Sequence, residues 1–348
     1  MHFGLFVEQK RQGLSQAEAF AETWSLVDQA EAWGIDCIWL GEIHFDPVRS
    51  VVSASLPIAA SIATRTKRLH IGTAVTVIPL NHPLKIAEEV ATLDHISDGR
   101  IEFGIGRSGV VRSYDTYGIP YAESQGRFRE GLEIIQLAWK GEPFSYDGQF
   151  FHVKNATVTP TPVQRPHPPI RMAANSDETF PAVGKMGLPI FIGLRAAEIP
   201  DLQEHLADYR KAWHEAGHPG EPSVYLRIPV YVSTTEKGAV EEPRESLTYF
   251  FERQSRLAAS SVGRAGTGPA DRRQAQVARM ASLTYDDILA RKVAFGTAAG
   301  VIDRLKQLRE QLGIDGIVTE LNPGGLIPLE LERRSLQLLT RDVIPAFK

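Results

Sequence analysis

Glu42 and His44 stand two residues apart in the stretch GEIHF, just after the apolar run that ends at Leu40. An imidazole exchanges a proton near neutral pH, so a carboxylate beside it suggests general acid or base work. A lone histidine more often only satisfies a hydrogen bond. Alternation at a strand end, however, sends positions i and i+2 to the same side, which would bring these two together. A second group is FGIGRS, where Gly104 and Gly106 let backbone approach a planar ligand and Arg107 can reach an anion. Its bland reading is a glycine-rich turn with a solvated arginine. The third is MAANSDET, in which Asn175, Ser176 and Thr179 fall where a helix would begin. Helix starts attract phosphate through unpaired N–H groups and the dipole, although Ser176 or Asp177 could equally be a simple cap.

Other chemistries lack their residues. No serine or cysteine nucleophile is evident, and the single cysteine, Cys37, sits inside an apolar run, which suits a small core residue in a reducing compartment. His82, His95 and His205 show no metal-ligand spacing. His214 and His218 are four apart, but Gly217 and Pro219 put the second beyond its helix, so no metal is expected. No GxGxxG fingerprint is followed by a suitable acidic residue, which disfavours a bound nicotinamide. A net charge of -4 from interspersed charges excludes the basic face that nucleic acid or an anionic membrane requires. No segment reaches the roughly 18 apolar residues of a membrane span, and the start has no basic leader region, so a cytoplasmic protein is expected.

The elements that must position these residues alternate in kind. Apolar runs at HFGLFV, DCIWL, LHIGTAVTV, IEFGIG, PIRMAA, LPIFIGL, SVYLRIPVYVS and DGIVTEL read as strands, separated by segments of helical period. Ser15 is a plausible N-cap and Gly34 a stop for the first helix, while DGR ends the one before the fourth strand. Strand and helix pairs in this number predict a (β/α)8 TIM barrel, one domain over residues 1–348, with a doubly wound open sheet as the alternative. Insertions are expected at about 108–122, at 141–168, where FSYDGQFFHV turns at Asp147 and Gly148, and at 253–285. In a barrel the residues just after each strand share one mouth, where the chemistry is done. Glu42 and His44, Thr73 to Val75, Gly104 to Ser108, Asn175 and Ser176, Gly193, and Glu320 with Asn322 all fall there. Arg107 and the helix start at Ser176 follow adjacent strands, so both could grip one phosphate.

On GEIHF, IGTAVTVIPLNHPLKIAEEVATLDHISDGRIEFGIGRS, AANSDETFPAVGKMGLP and GIVTELNPGGLIPLELERRSLQLLTRDVIPAF, the chain resembles the bacterial luciferase-like flavin monooxygenases over nearly its whole length. The resemblance implies FMN as cofactor, its phosphate held by Arg107, Ser176 and Thr179 with Asn175 beside them. It implies a non-prolyl cis peptide at Ala74 and Val75 under the isoalloxazine, Gly106 close by, Glu42 near the flavin edge and His44 as the acid/base group. The implied reaction takes reduced FMN from a separate reductase and dioxygen, by way of a C4a-hydroperoxyflavin, to oxygenate an aldehyde, ketone or aromatic substrate. A homodimer is implied through the Ala- and Ser-rich SASLPIAASIATRT. Two departures matter: bacterial luciferase has a cysteine where Gly106 stands and a further histidine where Ile43 stands, so light emission is not expected. The segment 253–285 takes the place of the family's mobile lid or is a plain surface loop. A deazaflavin-dependent hydride-transfer enzyme on the same fold, or a non-catalytic flavin-binding protein, remain the alternatives.

Overall fold

Strands form where the apolar runs lie: His2–Val7, Cys37–Leu40, His70–Thr73, Ile101–Gly106, Ile170–Ala173, Ile190–Gly193, Val224–Val232 and Gly316–Glu320. Each pairs in parallel with the next, and the last returns to the first through His2↔Gly316 to Leu5↔Thr319. The sheet is therefore a closed eight-stranded barrel with helices around it, and the open-sheet alternative does not hold. The computed structural model describes residues 1–8, 10–266 and 270–348, with the backbone alone at Arg272.

The barrel is filled. Trp39 lies across it because Gly4 and Gly72, on the flanking strands, have no side chain there: a Cβ would come within 2.4 Å and 2.2 Å of the indole. Phe191 and Tyr225 meet Trp39 edge-on, and Arg171 sits 3.5 Å over the Tyr225 ring below them. With the interior closed, ligands are left the mouth.

Outward-facing Phe3, Leu5, Val7, Ile38 and Leu40 join the main core beneath the helices. Local chemistry sets the helix ends. Ser15 accepts from Glu18 N at 3.2 Å while Glu18 accepts from Ser15 N at 2.9 Å, a capping box that orders the start of helix Gln16–Ala32. Helix Pro83–Ser97 stops at left-handed Asp98 and Gly99. The hairpin Phe144–Asp147 with His152–Ala156 forms as expected.

Three features differ from the expected pattern. The helix after the seventh strand is broken into Glu236–Glu241 and Arg244–Ala259, with Pro243 at the break, where it has no N–H to continue the ladder. Helix Ala298–Leu312, not singled out in the sequence, buries Val301, Leu305, Leu308 and Leu312 on one face. Segment 253–285 is largely helical, through Arg244–Ala259 and Ala270–Ala281, and rests on a small core of Leu247, Phe250, Phe251, Ile288 and Val293. Its Ala, Arg and Gln content is that of a helix former, which outweighs the loop-like impression of its glycines. Residues 267–269 within it lie outside the described residues. No described helix is long and apolar enough to cross a membrane.

Candidate active site

Past Leu40 the chain leaves the second strand and is held by Ile43 N donating to Val52 O at 2.9 Å. Glu42 and His44 turn to the same side, as alternation predicts, and their side chains are only 6% and 11% exposed. Glu42 Oε1 lies 2.8 Å from His44 Nε2, and Glu42 Oε2 accepts from Val77 N at 3.2 Å. On the other side of the imidazole, the Tyr117 hydroxyl is 3.3 Å from Nδ1, and the two rings meet edge-on at 5.3 Å. Burial, then the Glu42 carboxylate, push the Tyr117 phenol above its ordinary pKa, which keeps it a donor. Because Nε2 faces a carboxylate, the neutral ring carries its hydrogen there and leaves Nδ1 open to a proton. Val77, Leu80, Val110 and Leu257 line the pocket around the pair together with the charged side chains of Asp46, Arg49 and Arg112.

The Ala74–Val75 peptide is cis, as the resemblance implies. The fourth strand makes room for it with glycines. A Cβ on Gly104 would lie 1.8 Å from Thr73 O, and one on Gly106 would lie 2.6 Å from Val75 Cγ2. Thr73 Oγ1 donates to Gly104 O at 2.6 Å, so its role is to tie the third strand to the fourth.

Arg107 follows directly. Its Nη1 donates to Ser124 Oγ at 3.2 Å and its guanidinium lies 5.6 Å from the Tyr121 ring centre, so it is braced rather than loosely solvated. Tyr114 OH donates to Arg107 O and Tyr121 OH to Ser108 O, fixing the turn. On the adjacent fifth strand's end, the Ser176 and Thr179 hydroxyls bond each other at 2.7 Å and remain accessible, with exposed Asn175 beside them. Helix Thr179–Lys185 starts with Glu178 at its cap position and no side-chain cap bond from it, while Thr179 N donates to Ser176 O at 2.8 Å. Among the described residues no hydrogen bond joins Arg107 to Ser176 or Thr179.

The opposite half of the mouth carries charges with no motif to announce them. Glu8 is 2% exposed after the first strand and pairs with Arg49, which the loop after the second strand brings across. Arg227 Nη2 meets Glu8 at 3.2 Å and its Nε meets Glu320 at 2.7 Å. Burial alone would raise the Glu8 pKa, but Arg49 and Arg227 outweigh it and hold it near 2. Each of these residues is isolated in an apolar or loop context, and only closure of the barrel joins them. Asn322, expected at the mouth, instead braces the last loop through Ile327 O and Glu332. Over the rim, Arg253 pairs with Asp46, and Arg264 meets Asp115 at 2.7 Å, so the helical excursion is tied across the site. No cluster that could hold a metal ion occurs among the described residues.

Against known proteins, the model of a family described as luciferase-like monooxygenase matches residues 1–316. The oxygenase component of a flavin-dependent trigonelline monooxygenase from Acinetobacter baylyi is 26% identical over 361 aligned positions, covering 100% of this chain and 96% of that protein. Two Sinorhizobium fredii proteins, 36% and 29% identical, match over only about half their own length, 52% and 55%. The solved structure of monooxygenase RslO1 from Streptomyces bottropensis superposes with a TM-score of 0.83 at 25% identity, covering all of both chains. A coenzyme F420-dependent tetrahydromethanopterin reductase from Methanopyrus kandleri, at a TM-score of 0.74 and 18% identity over 100% and 99% of the two chains, shares the fold alone.

Proposed function

Because this chain belongs to the luciferase-like monooxygenase family, we propose that it is the oxygenase of a two-component system, taking reduced FMN from a separate reductase and using dioxygen to place one oxygen atom on a small organic substrate. The observation that carries this reading is the Glu42–His44 pair at 2.8 Å at the mouth of the barrel, with the second Glu42 oxygen held by Val77 N.

The residues present fit a flavin. Gly104 and Gly106 have no side chains to hold off Thr73 and Val75, so the turn after the third strand packs against the fourth and gives a flat ring a floor at the mouth. Arg107, steadied by Ser124, and the accessible hydroxyls of Ser176 and Thr179 with Asn175 supply a cation and hydrogen-bonding groups for its phosphate. When bound, reduced FMN supplies the electrons and the site of oxygen activation, chemistry that no side chain provides. The protein's part is to hold, to exclude water and to move protons. His44 takes and returns a proton at Nδ1, Glu42 stabilises the imidazolium through Nε2, and the Tyr117 hydroxyl links Nδ1 to solvent. The insertions at about 108–122 and 253–285 close over this pocket, and that at 141–168 packs outside it, all within one domain. Helix Ser55–Arg65 is the proposed homodimer contact, which light scattering at micromolar concentration checks; a monomer contradicts it.

Reconstitution tests the cofactor. Anaerobic titration should show reduced FMN binding in preference to reduced F420, and binding of the deazaflavin alone would move the protein to the hydride-transfer branch of the fold. Mass spectrometry of cell extract incubated with reduced FMN and the protein should reveal an oxygenated product; oxygen uptake without one would favour a flavin-binding protein.

A further inference from the structure

The mouth has two unlike halves. Strands two to five end in the groups assigned above to the flavin and its chemistry. Strands six, seven, eight and one contribute Arg195, Arg227, Glu320 and Glu8 in turn. Arg227 bridges both carboxylates through Nε and Nη2, and its guanidinium carbon lies 3.6 Å over the Phe6 ring. Arg49 takes the remaining strong contact to Glu8. Arg195 stands two residues past Gly193, which is in register with Arg227, and lies within electrostatic reach of Arg227, Glu320, Glu8 and Arg49. Among the described residues it makes no hydrogen bond or ion pair.

Arg49, Arg195 and Arg227 thus share the two carboxylates Glu8 and Glu320 at this end of the barrel, and Arg195, part-buried, is the one of the three that bonds neither. Burial, then repulsion by Arg227, lower the Arg195 pKa to about 10, so it is still cationic at neutral pH. A part-buried guanidinium with no bonded partner favours an anion that enters beside it. A guanidinium with free N–H groups matches a carboxylate through two parallel hydrogen bonds.

We propose that Arg195 receives a carboxylate of the organic substrate, so that this enzyme oxygenates small organic acids. The proposal rests on the flavin reading of the other half of the mouth, because a flavin held there leaves Arg195 for its co-substrate.

Benzoate and benzamide, alike in size and shape and different in charge, are the probes. Calorimetry on the full chain saturated with oxidised FMN should show benzoate binding about tenfold to a hundredfold tighter than benzamide, the scale of a charge-assisted pair. R195Q should erase that preference while keeping the parent's melting temperature and FMN affinity, and R195K should restore part of it. Equal binding of the two probes by the parent overturns the proposal. So does an R195Q protein that keeps the preference, or one that loses FMN affinity instead, since the guanidinium would then serve the flavin. A parent that fails to bind FMN at all would refute the flavin reading, and the same two probes on the bare protein would still decide whether Arg195 selects the acid.

Discussion

The Glu42 carboxylate meets His44 with one oxygen and the Val77 amide with the other, so two donors, His44 Nε2–H and Val77 N–H, depend on one side chain. Glu42→Gln offers a single acceptor oxygen, leaving one donor unmatched and removing the charge that steadies the imidazolium. Turnover should fall about tenfold to a hundredfold through kcat, with KM and FMN affinity little changed. Steady-state kinetics check this; a rise in KM alone would assign Glu42 to binding.

Arg107→Ala should weaken binding of both oxidised and reduced FMN by about 1.5 to 3 kcal/mol, the scale of a hydrogen bond to a charged group. Fluorescence titration measures it. Riboflavin, which lacks the phosphate, should bind the variant and the parent alike, and an equal loss for both flavins would place Arg107 elsewhere than at the phosphate.

Gly104→Ala should cost more than an ordinary core change. The new methyl would be driven into Thr73 O, a backbone atom held in the barrel wall, and cannot be relieved by turning a side chain. Overpacking of this kind costs about 1–3 kcal/mol or more. Chemical denaturation should show that loss together with weaker FMN binding.

Glu332, in the cleft between the first and last long helices, has its carboxyl pushed up by burial, against the Asn322 hydrogen bond, to about 7. The folded chain therefore keeps a proton that the unfolded chain releases above the usual 4.5, and stability from this group falls as pH rises from about 4.5 to about 7. Glu332→Gln, which still accepts from Asn322, should flatten that dependence. Melting temperatures across this window would show it; an unchanged slope would remove Glu332 as its source.

The sequence carries the barrel because each strand is short, apolar and followed by a helix with its own period, as in HFGLFV before the segment capped by Ser15. It also carries the half of the site built from local motifs: Glu42 with His44, Gly104 with Gly106 and Arg107, and Ser176 with Thr179. The other half is not local. Glu8, Arg49, Arg195 and Arg227 come from four separate segments, and Arg227 sits inside the strand run VYLRIPVYV with no cue that it faces inward. Tyr117 belongs to an insertion whose path depends on tertiary contacts such as the Arg264–Asp115 pair. Helix Ala270–Ala281 was obscured by the glycines that precede it, although its own residues favour a helix.

The central claim is that His44 moves a proton while other residues hold the flavin. His44→Ala, compared with the parent on the substrate found by product mass spectrometry, tests it through product formed per reduced FMN oxidised. The prediction is unchanged FMN affinity and melting temperature, a fall in product turnover of about a hundredfold to ten-thousandfold, and hydrogen peroxide released in place of product. Normal product per flavin, with at most a lowered melting temperature, would contradict it and leave His44 a structural residue at the strand end.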